Sequence, residues 1–190
     1  MKKYLFITLS LAFLFSCGKN DTSSAPSVTL KIGDKYQGGT IVYLLNPVNP
    51  GYDEKVQHGI TAANEDAGTA VWSLCDDVPN GADGIEIGKG MQNTKDILAD
   101  CPDQNIAAKL CDDYTITQNG TTYDDWYLPS RNELQKLYDN KALIGGFVNY
   151  EYWSSTEVSI GGASTIDFTD GITKTQVKTL QRYIRPVRSF

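Results

Sequence analysis

The chain has 190 residues, 41% of them hydrophobic and 21% charged, the proportions of an ordinary globular protein rather than a disordered or fibrous one. With 17 basic against 23 acidic residues it carries a formal charge of −6. That balance argues against nucleic acid, other polyanions and anionic lipid as general electrostatic partners.

The N-terminus reads as an export signal. Lys2 and Lys3 form a short basic region, and Tyr4 to Phe15 is an apolar run interrupted only by Thr8 and Ser10. That run is too short for a bilayer span of roughly 20 residues and fits the core of a secretory signal. Leu14-Phe15-Ser16-Cys17-Gly18 resembles a bacterial lipobox, in which the Cys17 thiol carries the lipid and cleavage precedes it. Gly18 stands where Asp favours inner-membrane retention, so an outer-membrane lipoprotein is expected. Lys19-Asn20-Asp21 loosely resembles the charged signals that bring some lipoproteins to the cell surface. The expected division is therefore a signal peptide over 1–16, a lipidated N-terminus with a polar tether over 17–30, and one domain over 31–190. Loss of Lys2 and Lys3 leaves 15 basic against 23 acidic residues, a net charge of about −8.

"GGTIVYLL" (38–45) is β-branched and aromatic after two glycines and predicts a strand; "HGITAA" and "AVWSL" predict two more. Residues 75–93 form a long Gly/Pro-rich loop. "NTKDILAD" predicts a helix with Asn93 or Thr94 as its N-cap and Ile97 and Leu98 as core contacts. Ile106, Ala107, Leu110 and Cys111 predict a second amphipathic stretch. "DDYTITQNGTTYDD" reads as a polar connector. In "DWYLPSRNEL" (125–134), Pro129 favours an extended Leu128, and Ser130 with Glu133 forms a capping box. Leu134, Leu137 and Tyr138 then bury one stripe, and Asp139-Asn140 closes the helix. The last third predicts strands at "YWSST", "STIDFT", "TKTQVKT" and "RYIRPVRSF", with a hairpin turn at Asp170-Gly171.

Apart from Cys17, three cysteines are present, and an oxidising envelope favours one disulfide with a thiol left over. Cys101 with Cys111 is the preferred pair, since the loop and helix between them could return one to the other. Cys75 remains open as a partner. Cys-x9-Cys with the lone His58 far away is not zinc-ligand spacing.

"YQGGTIVYLL", "GITAA", "AVWS", "IGKGMQNT", "AAKLCDDY", "DWYLPSRNELQKLY", "NKALIGGF", "YWSSTE" and "IRPVRSF", in that order, resemble the Lcl C-terminal-domain-like family of bacterial surface lipoproteins, over roughly residues 33–190. The resemblance implies an α+β, C-type-lectin-like domain with two main helices and a twisted, mainly antiparallel sheet. It also implies a distant likeness to formylglycine-generating enzymes, whose late cysteines are missing after Cys111. One relative ends a collagen-like adhesin linked to sulfated glycans. This chain has no collagen-like part, and its acidity departs from a polyanion binder.

For chemistry, the G-x-S-x-G, H-E-x-x-H and paired C-x-x-C patterns are absent, and "GIEIGKGM" matches a P-loop only in Gly-Lys. Asp112-Asp113 and Asp124-Asp125 are carboxylate pairs of the kind glycoside hydrolysis uses, though adjacent carboxylates on turns are usually solvated. No enzyme is expected and no cofactor is required. Calcium is the one metal candidate, through Asp77, Asn80, Asp83 and Glu86 of a single acidic loop. Ligand recognition would draw on Trp126, Tyr152, Trp153, Ser155 and Glu157, where rings stand beside polar groups. Core packing is the competing reading for the tryptophans, and "STEVSIGGAST" (155–165) the alternative contact surface. The expected role is an adhesion or binding module for a glycan or a surface protein, held to the membrane by its N-terminal lipid. A structural or assembly subunit and a carbohydrate-active enzyme are the alternatives.

Overall fold

A computed structural model describes residues 29–75 and 81–190. The signal peptide, Cys17 and the tether up to residue 28 lie outside the described residues, as do Asp77 and Asn80.

Among the described residues, eleven strands and four helices form an α+β fold with largely antiparallel sheets. One sheet holds, in order, β1 (Lys35–Tyr36), β2 (Gly39–Leu44), β3 (Gly59–Ala62) and β11 (Val187–Ser189). The second holds β4 (Gly68–Ala70), β10 (Arg182–Ile184), β7 (Glu151–Ser159), β8 (Gly162–Asp167) and β9 (Thr173–Val177). Among the described strands, β10 and β7 are the one parallel pair. β10 and β11 are separated by Arg185 and Pro186 alone, so the end of the chain steps from one sheet to the other.

At that step Arg185 is fully buried. Its guanidinium donates to Asp66 Oδ1 at 2.7 Å and to the carbonyls of Ala63, Gly145 and Gly146, and it lies 3.9 Å from the Phe147 ring centre. A planar five-donor fork satisfies these divergent acceptors where a single ammonium could not.

β7 is buried along Glu151–Glu157, as expected of a central strand covered on both faces. Successive side chains point to opposite faces. Tyr152 therefore joins one core with Val42, Ile60, Leu134, Phe168 and Val187, and Trp153 the other with Trp72, Ile97, Ile106 and Ile184. Tyr127 and Leu128 divide in the same way between the two cores.

α1 (Gly90–Asp100) begins three residues before the expected cap and has no side-chain cap. Asn93 and Thr94 sit inside it, buried, and spend their side chains on the neighbouring chain instead. Asn93 Nδ2 donates to Gly84 O at 2.6 Å, and Thr94 Oγ1 accepts from Leu128 N at 3.0 Å. α2 (Ala107–Asp112) follows. The polar connector contains a hairpin, β5 (Ile116–Gln118) and β6 (Thr121–Tyr123), turned by Asn119 and Gly120 at positive φ. Asn-Gly suits the type I′ turn that matches strand twist. α3 (Arg131–Asp139) starts with the expected capping box of Ser130 and Glu133, and α4 (Lys141–Ile144) follows Asn140. β8 and β9 pair across the expected Asp170-Gly171 turn.

The cysteine pairing differs from the expectation. Cys75 is bonded to Cys101, with Cα atoms 5.6 Å apart, and Cys111 is free and buried. Both thiols enter the same apolar core, Cys101 from the end of α1 and Cys111 from the buried face of α2. Sequence nearness of Cys101 and Cys111 is overridden because the fold lays the segment that follows β4 against the end of α1, where Cys75 meets Cys101.

Candidate binding groove

The segment Asp124–Ser130 is a strap between the two halves of the fold. Tyr127 exchanges both backbone hydrogen bonds with Val187 of β11, at 2.8 and 3.0 Å, and its hydroxyl meets Ser189 Oγ. Ser155 N of β7 donates to Pro129 O at 2.7 Å. Asp125 receives Arg188 at both oxygens, 2.6 and 2.9 Å, and Arg188 also lies over the Tyr123 ring. Such a two-pronged pair orients as well as attracts.

Between this strap and α1 lies a groove of about 190 Å³, lined by Met91, Thr94, Lys95, Asp112, Asp124, Asp125, Trp126 and Tyr127. Its floor is apolar. Trp126 is almost fully buried, donates Nε1–H to Tyr123 O at 3.0 Å and packs edge-on against Tyr114. The rim is charged. Asp125 is committed to Arg188, and Asp112 lies 3.9 Å from Lys109, whose closer partner is Asp113. Asp124 and Lys95 have no side-chain partner among the described residues, and both are exposed. The groove thus offers one free acceptor group and one free donor group above an apolar floor. A volume below the roughly 300–1,000 Å³ of small-molecule pockets suits one sugar unit or one side chain of a larger ligand.

The fold brings Asp112, from one expected carboxylate pair, to the same rim as Asp124 and Asp125 of the other. Glycoside hydrolysis needs an acid held near neutrality at the site. Glu133 is pushed up to about 7, chiefly by burial, but it is sealed beneath the Ser130, Gly88 and Gly90 amides and does not line the groove.

Four of the five expected ligand contacts are corrected by their burial. Tyr152, Trp153, Ser155 and Glu157 are buried within the fold and line no part of the groove, while Trp126, also buried, forms its floor. Tyr152 Oη donates to Asp66 at 2.8 Å, Trp153 Nε1 donates to Ala70 O at 3.0 Å, and Ser155 Oγ accepts from Asn93 Nδ2 at 3.2 Å. Glu157 holds Lys178 Nζ at 2.6 Å, and that ammonium stands 4.8 Å from the Trp72 ring centre. A buried pair of this kind is kept by its hydrogen bonds and geometry, and losing one partner strands the other charge. Of the five, Trp126 alone reaches the groove, as its floor. The expected contact loop over 155–165 is mostly β7 and β8, and only its tip, Val158 to Gly161, is exposed.

Of the calcium candidates, Asp83 and Glu86 are exposed, Asp77 and Asn80 lie outside the described residues, and no three His, Cys, Asp or Glu side chains gather as a metal cluster among the described residues. His58 Nδ1 lies 3.0 Å from the Phe190 carbonyl, in a strand-end contact.

The fold and groove define an α+β domain whose two cores are joined by a Trp-Tyr-Leu-Pro strap with a small open site beside it. Residues 62–188, about two thirds of the chain, match the family model of the Lcl C-terminal domain, and the chain belongs to that family. The match begins in β3, so β1 and β2 precede it although they pair into the same sheet. The chain has no match among curated proteins.

Proposed function

We propose that this chain is a cell-envelope lipoprotein whose single domain is a binding module, recognising a glycan or a protein through the groove at Asp124–Tyr127. The observation that carries this reading is the pairing of a free carboxylate, Asp124, and a free ammonium, Lys95, above an apolar floor. Hydroxyl and amide groups need such acceptors and donors, while the floor takes up C–H surface. The rest of the motif is spent on holding the fold together, which supports contact rather than catalysis. The lipobox-like Leu14–Gly18 supports a lipid anchor at Cys17, and Gly18 supports placement in the outer membrane, with exposure on the cell surface.

A second reading, an assembly subunit, is favoured by one feature. β9 is an open sheet edge, and Val158, Ile160, Val177 and Leu180 are exposed at the β7–β8 tip and the end of β9. Glycan arrays and affinity capture of envelope proteins with the chain from residue 18 separate the two. Capture lost in D124K and K95E variants supports the groove. Capture that survives both variants and is lost in V158D/I160D overturns the groove in favour of assembly.

A further inference from the structure

The chain enters the domain at a defined place. Leu30 N donates to Gln57 Oε1 at 2.7 Å, and Gln57 Nε2 donates back to Leu30 O at 3.2 Å. Both backbone groups of Leu30 are thereby pinned to the end of the loop that joins β2 to β3, residues 45–58. That loop is closed at its base by Leu45 N donating to His58 O at 2.8 Å. It is braced within by Asn49, whose Oδ1 accepts from Tyr43 Oη and Asn46 N.

The same end of the molecule displays apolar side chains. Val48 is 86% exposed, Val56 53% and Tyr52 42% on the loop, and Ile32 is 42% exposed on the entering segment. Leu143, exposed on α4, lies within van der Waals reach of Gly33 beside it. Exposed apolar residues scattered singly need no explanation, but several gathered where the chain enters do. The neighbouring charges come close to balance and form no basic patch: Lys31 and Lys55 stand among Asp34, Asp53 and Glu54.

We propose that this face, the β2–β3 loop with Ile32 and Leu143, rests on the lipid bilayer that anchors the chain. The inference depends on the reading that Cys17 carries the lipid. Twelve residues, 18–29, separate Cys17 from the point where Leu30 is pinned, and however arranged they span at most about 40 Å. Leu30 is thereby confined within about that distance of the membrane, and confinement raises the effective concentration of the face beside it so that weak contacts suffice. Two valines and a leucine suit shallow insertion, and a tyrosine at the rim suits the boundary between headgroups and water. Because no basic patch is present, the contact is apolar and is not lost on adding salt, unlike attraction of a basic patch to anionic headgroups.

The test uses the chain from Gly18 with a hexahistidine tag in place of Cys17, bound through nickel-chelating lipid to vesicles of phosphatidylethanolamine and phosphatidylglycerol. A polarity-sensitive fluorophore is placed in V48C or, as the control in the other sheet, in V177C; the buried Cys111 thiol stays unlabelled. The label at position 48 is expected to shift to the blue and to be quenched by spin-labelled lipid, at low and high salt alike, and the label at 177 to do neither. Adding V56D and Y52D is expected to cut quenching at position 48 about tenfold. Equal, water-like signals at 48 and 177 would overturn the proposal, as would a contact at 48 abolished by salt. Mass spectrometry of Cys17 in the exported chain tests the anchor itself. Its failure is distinguishable, because the tag supplies the tether in the vesicle experiment.

Discussion

The Glu133 carboxylate takes the amide of Gly88 at 2.7 Å, forty-five residues away in sequence, while also accepting the Ser130 amide of its own capping box at 2.8 Å. One side chain thus caps α3 and ties the loop before α1 to it. A Cβ at position 90 would collide with that carboxylate, which is why a glycine opens α1.

Burial raises Glu133 from 4.5 to about 7, and this makes stability depend on pH. Below about 4.5 the group is protonated in both states and its contribution is complete. Between about 4.5 and 7 the unfolded chain releases the proton first, so the contribution falls by roughly 3 kcal/mol as pH rises through that window. E133Q replaces the protonated carboxyl's hydroxyl oxygen, which can still accept, with an NH2 that cannot, leaving an amide unpaired at a cost of about 1–3 kcal/mol at acid pH. That cost should shrink above pH 7, where the wild type holds a buried charge. Urea unfolding at either end of the window checks this; a cost independent of pH contradicts it.

The Cys75–Cys101 bond closes a separation of 26 residues. By the chain-entropy relation its loss should lower stability by about 3–4 kcal/mol. C75S and C101S are expected to give similar drops in unfolding midpoint without reductant, and C111S a smaller one, since that thiol only packs. Peptide mapping without reduction should find 75 joined to 101. A peptide joining 101 to 111 would refute the pairing.

Arg185 predicts a substitution that is conservative in charge but not in effect. In R185K one ammonium replaces a fork that reaches Asp66 and three carbonyls, so buried acceptors lose their donors. Destabilisation of about 2–4 kcal/mol is expected, approaching that of R185M. Equal stability of R185K and wild type in denaturant would contradict the role assigned to the fork.

Much of this architecture was legible from local chemistry. Ser130 and Glu133 announced α3 because a capping box is a contact within four residues, and Asp170-Gly171 announced the β8–β9 turn for the same reason. What escaped was set by distant partners. Thr94 looked like a helix cap because its hydroxyl seeks an amide, but the amide it finds belongs to Leu128. Cys101 looked close to Cys111 along the chain, yet the fold brings Cys75, 26 residues away, against it. Tyr152 and Trp153 carry the polar tips of ligand contacts, and those tips are instead satisfied by Asp66 and Ala70 O inside the fold. The groove was half visible in Asp124 and Trp126. Met91 and Lys95, on a helix some thirty residues earlier, carried no signal of their own. The arginines at every third position of "RYIRPVRSF" were the available sign that the last strands join buried charges.

The central claim is that ligand is taken up beside the strap. Titration of the isotope-labelled chain from residue 18 with a captured glycan or protein, followed by amide chemical shifts, tests it most directly. Shifts concentrated at Met91–Lys95, Asp112 and Asp124–Tyr127, and abolished in D124K while the remaining spectrum is unchanged, are the predicted result. Shifts gathered at Val158–Gly161 and β9, with the groove silent, would contradict it.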